Sequence, residues 1–247
     1  MRAPRAYVRW MSEHIGFNPR AQQNSNALSD FVVNDLMMSC PAIGSAIKSE
    51  ALLPKKNSEV ETVSAVRTVD LVIFEKAKLP LVSVCVSVEN KTIMAAHGKA
   101  RKNRYGDIIA YSNHMHNHRK DCIAAAIIVV NVSPRYENPN GFAKDLIRPE
   151  FDMEKVVKDT IEIFSRIPLR NEPNDPSDQP QALAVMVVDY DGASSAKLVT
   201  GSLAPQVNEP INYERFISRI GQLWEKRFSA NTDDGPVPFK EGVDLSF

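Results

Sequence analysis

Residues 81 to 91 have the sequence Leu-Val-Ser-Val-Cys-Val-Ser-Val-Glu-Asn-Lys, in which apolar and small or polar side chains alternate. Because side chains two residues apart on a strand share a face, the valines form one face, and Glu89 and Lys91 belong to the other. A second stretch, 122–132, is almost continuously apolar, which is typical of a parallel strand covered on both faces. We therefore predict an α/β fold with a mixed central sheet flanked by helices.

The segments around these two strands predict further helices and strands. Apolar spacing from Ala27 to about Lys48 favours two helices, or one that is kinked at Pro41, because proline interrupts a helix. The β-branched residues of 60–74 favour one bent strand or two strands, and the Pro- and Lys-containing stretch 53–58 before them is predicted to be a loop. The remaining predicted elements are helices over 99–118, 152–167 and 213–228 and a strand over 182–189.

Composition limits the class of protein. The chain has 247 residues, of which 43% are hydrophobic, so it can bury a substantial core. Thirty Lys and Arg residues balance 30 Asp and Glu residues, which excludes a uniformly basic, histone-like protein. No apolar run approaches the roughly 20 residues that span a bilayer, and no signal-peptide core is evident, so we expect a cytoplasmic protein with no membrane partner. Cys40, Cys85 and Cys122 are expected to be reduced core thiols.

Asp70 is the first residue whose surroundings suggest chemistry. It lies in the apolar stretch 68–74 and is followed, after 18 residues, by Glu89-Asn90-Lys91. An unpaired carboxylate would be costly in such surroundings. With this motif and the order of predicted elements, the chain resembles the PD-(D/E)xK nuclease superfamily, which includes many type II restriction endonucleases. Val69 departs from the motif, which has proline at that position.

The resemblance implies a restriction-endonuclease-like αβββαβ core within a single nuclease domain over 1–247. It also implies a metal-dependent endonuclease that hydrolyses DNA phosphodiester bonds in restriction or anti-phage defence. Cutting both strands would then require a homodimer or a partner subunit of a defence complex. The predicted parts of the domain are an N-terminal arm or short helix over 1–26, the catalytic core over 27–132, a C-terminal elaboration over 133–228 and a tail over 229–247.

The resemblance assigns a role to each residue of the motif. Asp70 and Glu89 would bind Mg²⁺, for which Mn²⁺ can substitute, and Lys91 would orient or help to deprotonate the attacking water. A turn near Lys78 would place Asp70 opposite Val86. Strand twist and a bulge would then have to bring Asp70 close to Glu89.

A basic segment follows the motif. Between Lys91 and Lys120 there are seven Lys and Arg residues and one acidic residue, Asp107. Clustered cations bind nucleic-acid phosphates, although a solvated helix face would have a similar composition. The predicted DNA contacts are His97, Lys99, Arg101, Lys102 and Arg104.

Several alternatives remain open at this stage. The chain could be a non-catalytic nucleic-acid-binding or assembly subunit with the same fold, or a nuclease that acts on RNA. His114 and His118, one helical turn apart, have a spacing that can bind zinc or copper, but no further ligand completes such a site. Additional metal-binding carboxylates are also conceivable, and the candidates are Glu50, Glu59 and Glu61.

Overall fold

The computed structural model describes residues 2–16, 18, 21–78, 83–136 and 152–228, which form an α/β fold around one mixed six-stranded sheet. The helices are α1 (Ala3–Glu13), α2 (Gln22–Ser39), α3 (Pro41–Lys48), α4 (His97–His118), α5 (Met153–Ser165) and α6 (Tyr213–Phe228). The strands are β1 (Leu52–Glu61), β2 (Val66–Glu75), β3 (Val84–Ile93), β4 (Ile123–Asn131), β5 (Ala182–Asp189) and β6 (Lys197–Leu198).

The strands follow one another across the sheet in chain order, from β1 to β6. The first three strands form an antiparallel meander, whereas β3, β4 and β5 are parallel and the short β6 is antiparallel to β5. Helices α1, α2, α3 and α6 pack on one face, and α4 and α5 pack on the other. The predicted α/β fold with a mixed sheet and flanking helices is therefore confirmed.

The centre of the sheet is apolar, as its sequence predicts. Every residue of β4 is buried. Ile127 and Val129 belong to the core beneath α1, α2 and α6, and the intervening Ile128 belongs to the core beneath α5. A strand with helices on both faces has no solvent-facing side, which explains why its sequence does not alternate.

The first strand differs from the sequence prediction. β1 begins at Leu52 and includes Pro54, Lys55 and Lys56, which were predicted to lie in a loop. This prediction was wrong because β1 is at the edge of the sheet, where proline needs no ladder partner and lysines discourage pairing with other chains. Edge strands and loops therefore share a composition.

Helix α1 lies in the N-terminal segment, for which the sequence left two alternatives open. Residues 1–26 were predicted to form an arm or a short helix, and the helix is what the structure contains: Tyr7 and Met11 are completely buried in the core. The buried Asp35 carboxylate accepts hydrogen bonds from the Ala3 amide (2.7 Å) and the Tyr213 hydroxyl (2.9 Å), which fixes α1 against α2 and α6.

The other predicted elements lie close to their expected positions. Helices α2 and α3 are separate and meet at Pro41, and the three cysteines are buried and free. The predicted tail over 229–247 and part of the C-terminal elaboration, 137–151, lie outside the described residues. None of the helices in the described ranges has the length and apolar character needed to traverse a lipid bilayer.

Strands β2 and β3 separate before either of them ends. Their pairing runs from Phe74 only as far as Leu71, which pairs with Val88. Beyond that pair, residues 66–69 of β2 stay paired with β1, and residues 89–93 of β3 stay paired with β4. We call the gap between residues 66–70 and 89–93 the fork.

The register places the motif at this fork. Ile73, and not Asp70, lies opposite Val86, so the predicted register, with its turn near Lys78, was wrong by three residues. The register shifts at Ile73 and Phe74, where the strand is irregular. As a result, Asp70 and Glu89 are the first residues beyond the last pair, one on each side of the fork.

Candidate functional site

Asp70 lies at the point where the two strands diverge. The Asn90 amide donates a hydrogen bond of 2.7 Å to Asp70 Oδ2, so the carboxylate takes the position of the missing strand partner. Burial raises the pKa of Asp70, and the negative charge of Glu89 raises it further, while hydrogen bonds from Asn90 and Ser25 oppose the shift. A partly buried carboxyl group next to a second carboxylate is a favourable place for a cation.

Glu89 is only 3% exposed. Its Oε1 atom accepts contacts from Lys91 Nζ at 2.6 Å and from Arg67 Nη2 at 3.0 Å. Its Oε2 atom is also buried and has no hydrogen-bond partner within the described residues. An unpartnered buried carboxylate oxygen is costly, so Oε2 is a candidate ligand atom for a group that the described residues do not supply.

The two carboxylates fit a hard divalent cation. Mg²⁺ usually takes one or two protein carboxylates and completes its six ligands with water and phosphate oxygens. Asp70 and Glu89 match that number in chemistry, but Glu89 does not line the cavity beside Asp70, and its Oε1 atom already contacts two cations. In the ranges that the structure describes, no group of three or more His, Cys, Asp or Glu side chains gathers around one point. A zinc site, which needs more protein ligands, therefore has no support among the described residues.

A cavity of about 380 Å³ opens beside Asp70. It reaches from the first turns of α2 across the free edge of β3 to Arg104 of α4. Its volume falls in the range of small-ligand sites. The polar residues that line it are Gln22, Asn24, Ser25, Asn57, Asp70, Asn90, Lys91, Thr92 and Arg104.

The wall of this cavity is held in place by Asn90. The side-chain amide of Asn90 donates to the hydroxyl groups of Ser25 (3.1 Å) and Ser29 (3.0 Å) on α2. The middle residue of the Glu-x-Lys motif therefore connects β3 to α2, while Glu89 and Lys91 are free to face each other. Alternation along the strand produces this division of roles.

Arg67 belongs to the site, although the sequence analysis did not identify it. Its guanidinium group contacts Glu89 and lies 5.5 Å from the centre of the Tyr111 ring. An arginine three residues before Asp70 on the same strand was visible in the sequence. Its partner depends on strand register, which the sequence did not provide.

His97 does not lie where a phosphate contact was predicted. The side chain is 5% exposed, and its Nε2 atom is 2.7 Å from the carbonyl oxygen of Asn131. Burial lowers the pKa of His97. His97 therefore joins the start of α4 to the end of β4, and its burial leaves little of the ring accessible to a phosphate group.

The four predicted cationic contacts divide into two pairs. Lys99 and Lys102 are exposed on the first turns of α4. Arg101 is 3.9 Å from Asp159, whereas Arg104 pairs with Asp107 at 2.7 Å and also lines the cavity. The lysines are thus free to reach a phosphate backbone, and the arginines are already partly engaged.

The histidines late in α4 have a structural role. His114 Nε2 lies 2.9 Å from the Val60 carbonyl, and His118 Nδ1 lies 2.7 Å from the Glu61 carbonyl. Both side chains therefore fasten the β1–β2 hairpin to α4, and the geometry gives no support to a metal site between them.

The upstream glutamates also lie away from the motif's carboxylates. Glu50 pairs with Lys76 at 2.8 Å, and Glu59 and Glu61 are exposed on the edge strand β1. None of the three lines the cavity beside Asp70; Glu89 does not line it either, although its neighbours Asn90 and Lys91 do.

Comparisons with known proteins add no family to this description. No family model matches the chain, and no significant match was found among curated proteins or among solved structures. Any functional assignment therefore depends on the fork and its side chains.

Proposed function

We propose that the protein is a Mg²⁺-dependent endonuclease that hydrolyses DNA phosphodiester bonds at the fork. The observation that carries this proposal is that Asp70 and Glu89 are the first residues beyond the last pair of β2 and β3. Lys91 lies 2.6 Å from Glu89, whose Oε2 atom is buried without a partner among the described residues. The order of elements from α2 to β4 also supports it, because a helical segment, three strands, a helix and a strand is the order of the αβββαβ core.

Each side chain has a defined task in this proposal. Bound Mg²⁺ would polarise the scissile phosphate and lower the pKa of a water molecule. Asp70 and Glu89 provide the anionic oxygens that hold the ion. Lys91 lies at 2.6 Å from Glu89 and also lines the cavity. From this position its ammonium group orients the attacking water and stabilises the charge that develops on the phosphate.

The start of α4 would hold the substrate. Lys99 and Lys102 are exposed there, and Arg104 forms part of the cavity wall. Contacts of this kind bind the phosphate backbone without reading its sequence. Cleavage of both strands needs two active sites, so we propose that the protein acts in restriction or anti-phage defence as a homodimer or with a partner subunit.

Plasmid nicking tests the proposed active site. Purified protein should nick supercoiled DNA with Mg²⁺ or Mn²⁺ and should be inactive with EDTA. Glu89→Gln and Lys91→Met should each lower the cutting rate by at least about 100-fold, because each removes a group that acts in the transition state. The matched controls Glu59→Gln and Lys197→Met change exposed residues of edge strands and should cut normally. Equal cutting by the wild type and both fork variants would overturn the site.

A second candidate is a non-catalytic nucleic-acid-binding or assembly subunit. The observation that favours it is the pairing of Glu89 with two cations, Arg67 and Lys91, since such a network also stabilises structures that have no catalytic role. This candidate predicts DNA binding without nicking and no effect of Mg²⁺ on thermal stability. Offering labelled RNA beside DNA identifies a nuclease that acts on RNA.

A further inference from the structure

An ion pair across the fork is made by a residue outside the Asp, Glu and Lys motif. Arg67 lies on β2 and Glu89 lies on β3, and their side chains meet at 3.0 Å. This ion pair joins the strands where their backbone hydrogen bonds have already ended. It is also well shielded, because the two side chains are 27% and 4% exposed. Arg67 therefore fixes the position of Glu89 within the fork.

Arg67 is itself held by a third element. Its guanidinium group lies 5.5 Å from the centre of the Tyr111 ring, and Tyr111 is completely buried on α4. The Tyr111 hydroxyl donates to Ser87 Oγ at 2.6 Å, which connects α4 back to β3. A guanidinium group that stacks on a fixed ring loses little further freedom when it binds a carboxylate.

The contacts of Glu89 are unequally distributed. Arg67 and Lys91 both contact Oε1, and Oε2 has no partner in the part of the chain that the structure describes. If Lys91 were the sole counter-ion, its movement toward a phosphate would leave a buried carboxylate uncompensated, which is costly. Because Arg67 is a second counter-ion of Glu89, movement of Lys91 would leave the carboxylate paired and would avoid that penalty.

We infer that Arg67 is a positioning residue of the active site: it holds Glu89 across the fork and thereby releases Lys91 for catalysis. This inference rests on the proposed function. Arg67 acts through Glu89 and needs no contact with the substrate. Its removal should therefore change the rate of cutting more than the binding of DNA.

The test combines kinetics with thermal unfolding. Arg67→Met should lower kcat by about 10- to 100-fold, the usual effect of losing a residue that orients a metal ligand, and should leave KM for DNA within about twofold. Arg67→Lys keeps the charge and should restore most of the rate. Arg166→Met is the matched control, because Arg166 is exposed on the surface and 73% of its side chain is accessible.

A metal-free measurement tests the contact itself. Arg67→Met should lower Tm by about 5 °C in the wild-type background and by much less when Glu89→Gln is already present. Equal Tm losses in the two backgrounds, or an unchanged kcat in Arg67→Met while Glu89→Gln is inactive, would overturn the inference and leave the proposed function standing. No cutting by the wild type would overturn the proposed function and the inference together.

Discussion

Two neighbouring parts of the same sheet differ in strand pairing and in the kind of side chain that they bury. In the parallel centre, β4 is paired on both sides, and all of its nine residues are buried. In the fork, the ladder between β2 and β3 stops, and one oxygen of the buried Glu89 has no partner among the described residues. The centre therefore provides stability through apolar burial, whereas the fork brings together the charged side chains of Arg67, Glu89 and Lys91.

Removing apolar volume from the parallel centre should have the largest effect. Ile127→Ala, in the fully buried β4, should cost about 2–5 kcal/mol of unfolding free energy, because it removes buried methyl groups and leaves a cavity. Ile127→Val is the control and should cost about 1 kcal/mol. Urea denaturation followed by circular dichroism measures both. A loss for Ile127→Ala no larger than for Ile127→Val would show that the centre is loosely packed.

Adding metal should stabilise the fork specifically. Mg²⁺ at about 100 times its dissociation constant should add roughly 2.7 kcal/mol of stability to the wild type, because it binds the folded state alone. Asp70→Asn should abolish this gain, whereas Ile127→Val should retain it. Thermal unfolding in MgCl₂ and in NaCl of equal ionic strength makes the comparison. A similar gain in Asp70→Asn would place the metal elsewhere.

Substitutions at the start of α4 should distinguish the structural role of the buried His97 from DNA binding by the exposed Lys99 and Lys102. His97→Ala should cost about 1–2 kcal/mol, since it removes a buried ring and its hydrogen bond to Asn131, and it should leave DNA affinity within about twofold. Lys99→Ala and Lys102→Ala should each leave stability nearly unchanged and weaken DNA binding. Each should also reduce the slope of log affinity against log salt concentration by about one, the value for one lost phosphate contact. Fluorescence anisotropy over a salt series and thermal melts provide the two measurements.

The pH dependence of Asp70→Asn should be the smallest effect. Burial and Glu89 raise the pKa of Asp70 in the folded state. Ionising Asp70 therefore costs stability, and this cost is absent below the unfolded pKa of about 3.9 and grows as pH rises through the folded pKa. Metal-free Asp70→Asn should be more stable than the wild type at pH 7, by about 2 °C in Tm. The difference should disappear near pH 3.5, and a difference that persists there would contradict the assigned cause.

Sequence patterns located most elements because periodicity and composition are local properties. The helices around Pro41 and the strand at 182–189 were predicted close to their positions, and α6 was predicted at 213–228. The strand at Leu52–Glu61 was missed because its lysines and proline suit an edge, and a sequence does not say which strand is at the edge.

The candidate site shows the same division. The motif itself and its basic neighbour were evident from residue types and spacing. The register of β2 with β3 was not evident from the sequence. This register places Asp70 opposite Glu89 and allows Arg67 to contact Glu89 across the fork. His97 was predicted to contact phosphate because it lies close to the motif and to Lys99 in the sequence, but it is buried, and its contact with the Asn131 carbonyl compensates its burial.

The sequence by itself determined an α/β protein with a buried central strand, and it indicated which three side chains are candidates for chemistry. Only the tertiary structure decided where two strands part, which charges meet in that gap and which cations remain at the surface. The physical reason is that hydrophobic periodicity acts over neighbouring residues, whereas strand register and ion pairing join residues that are far apart in the chain.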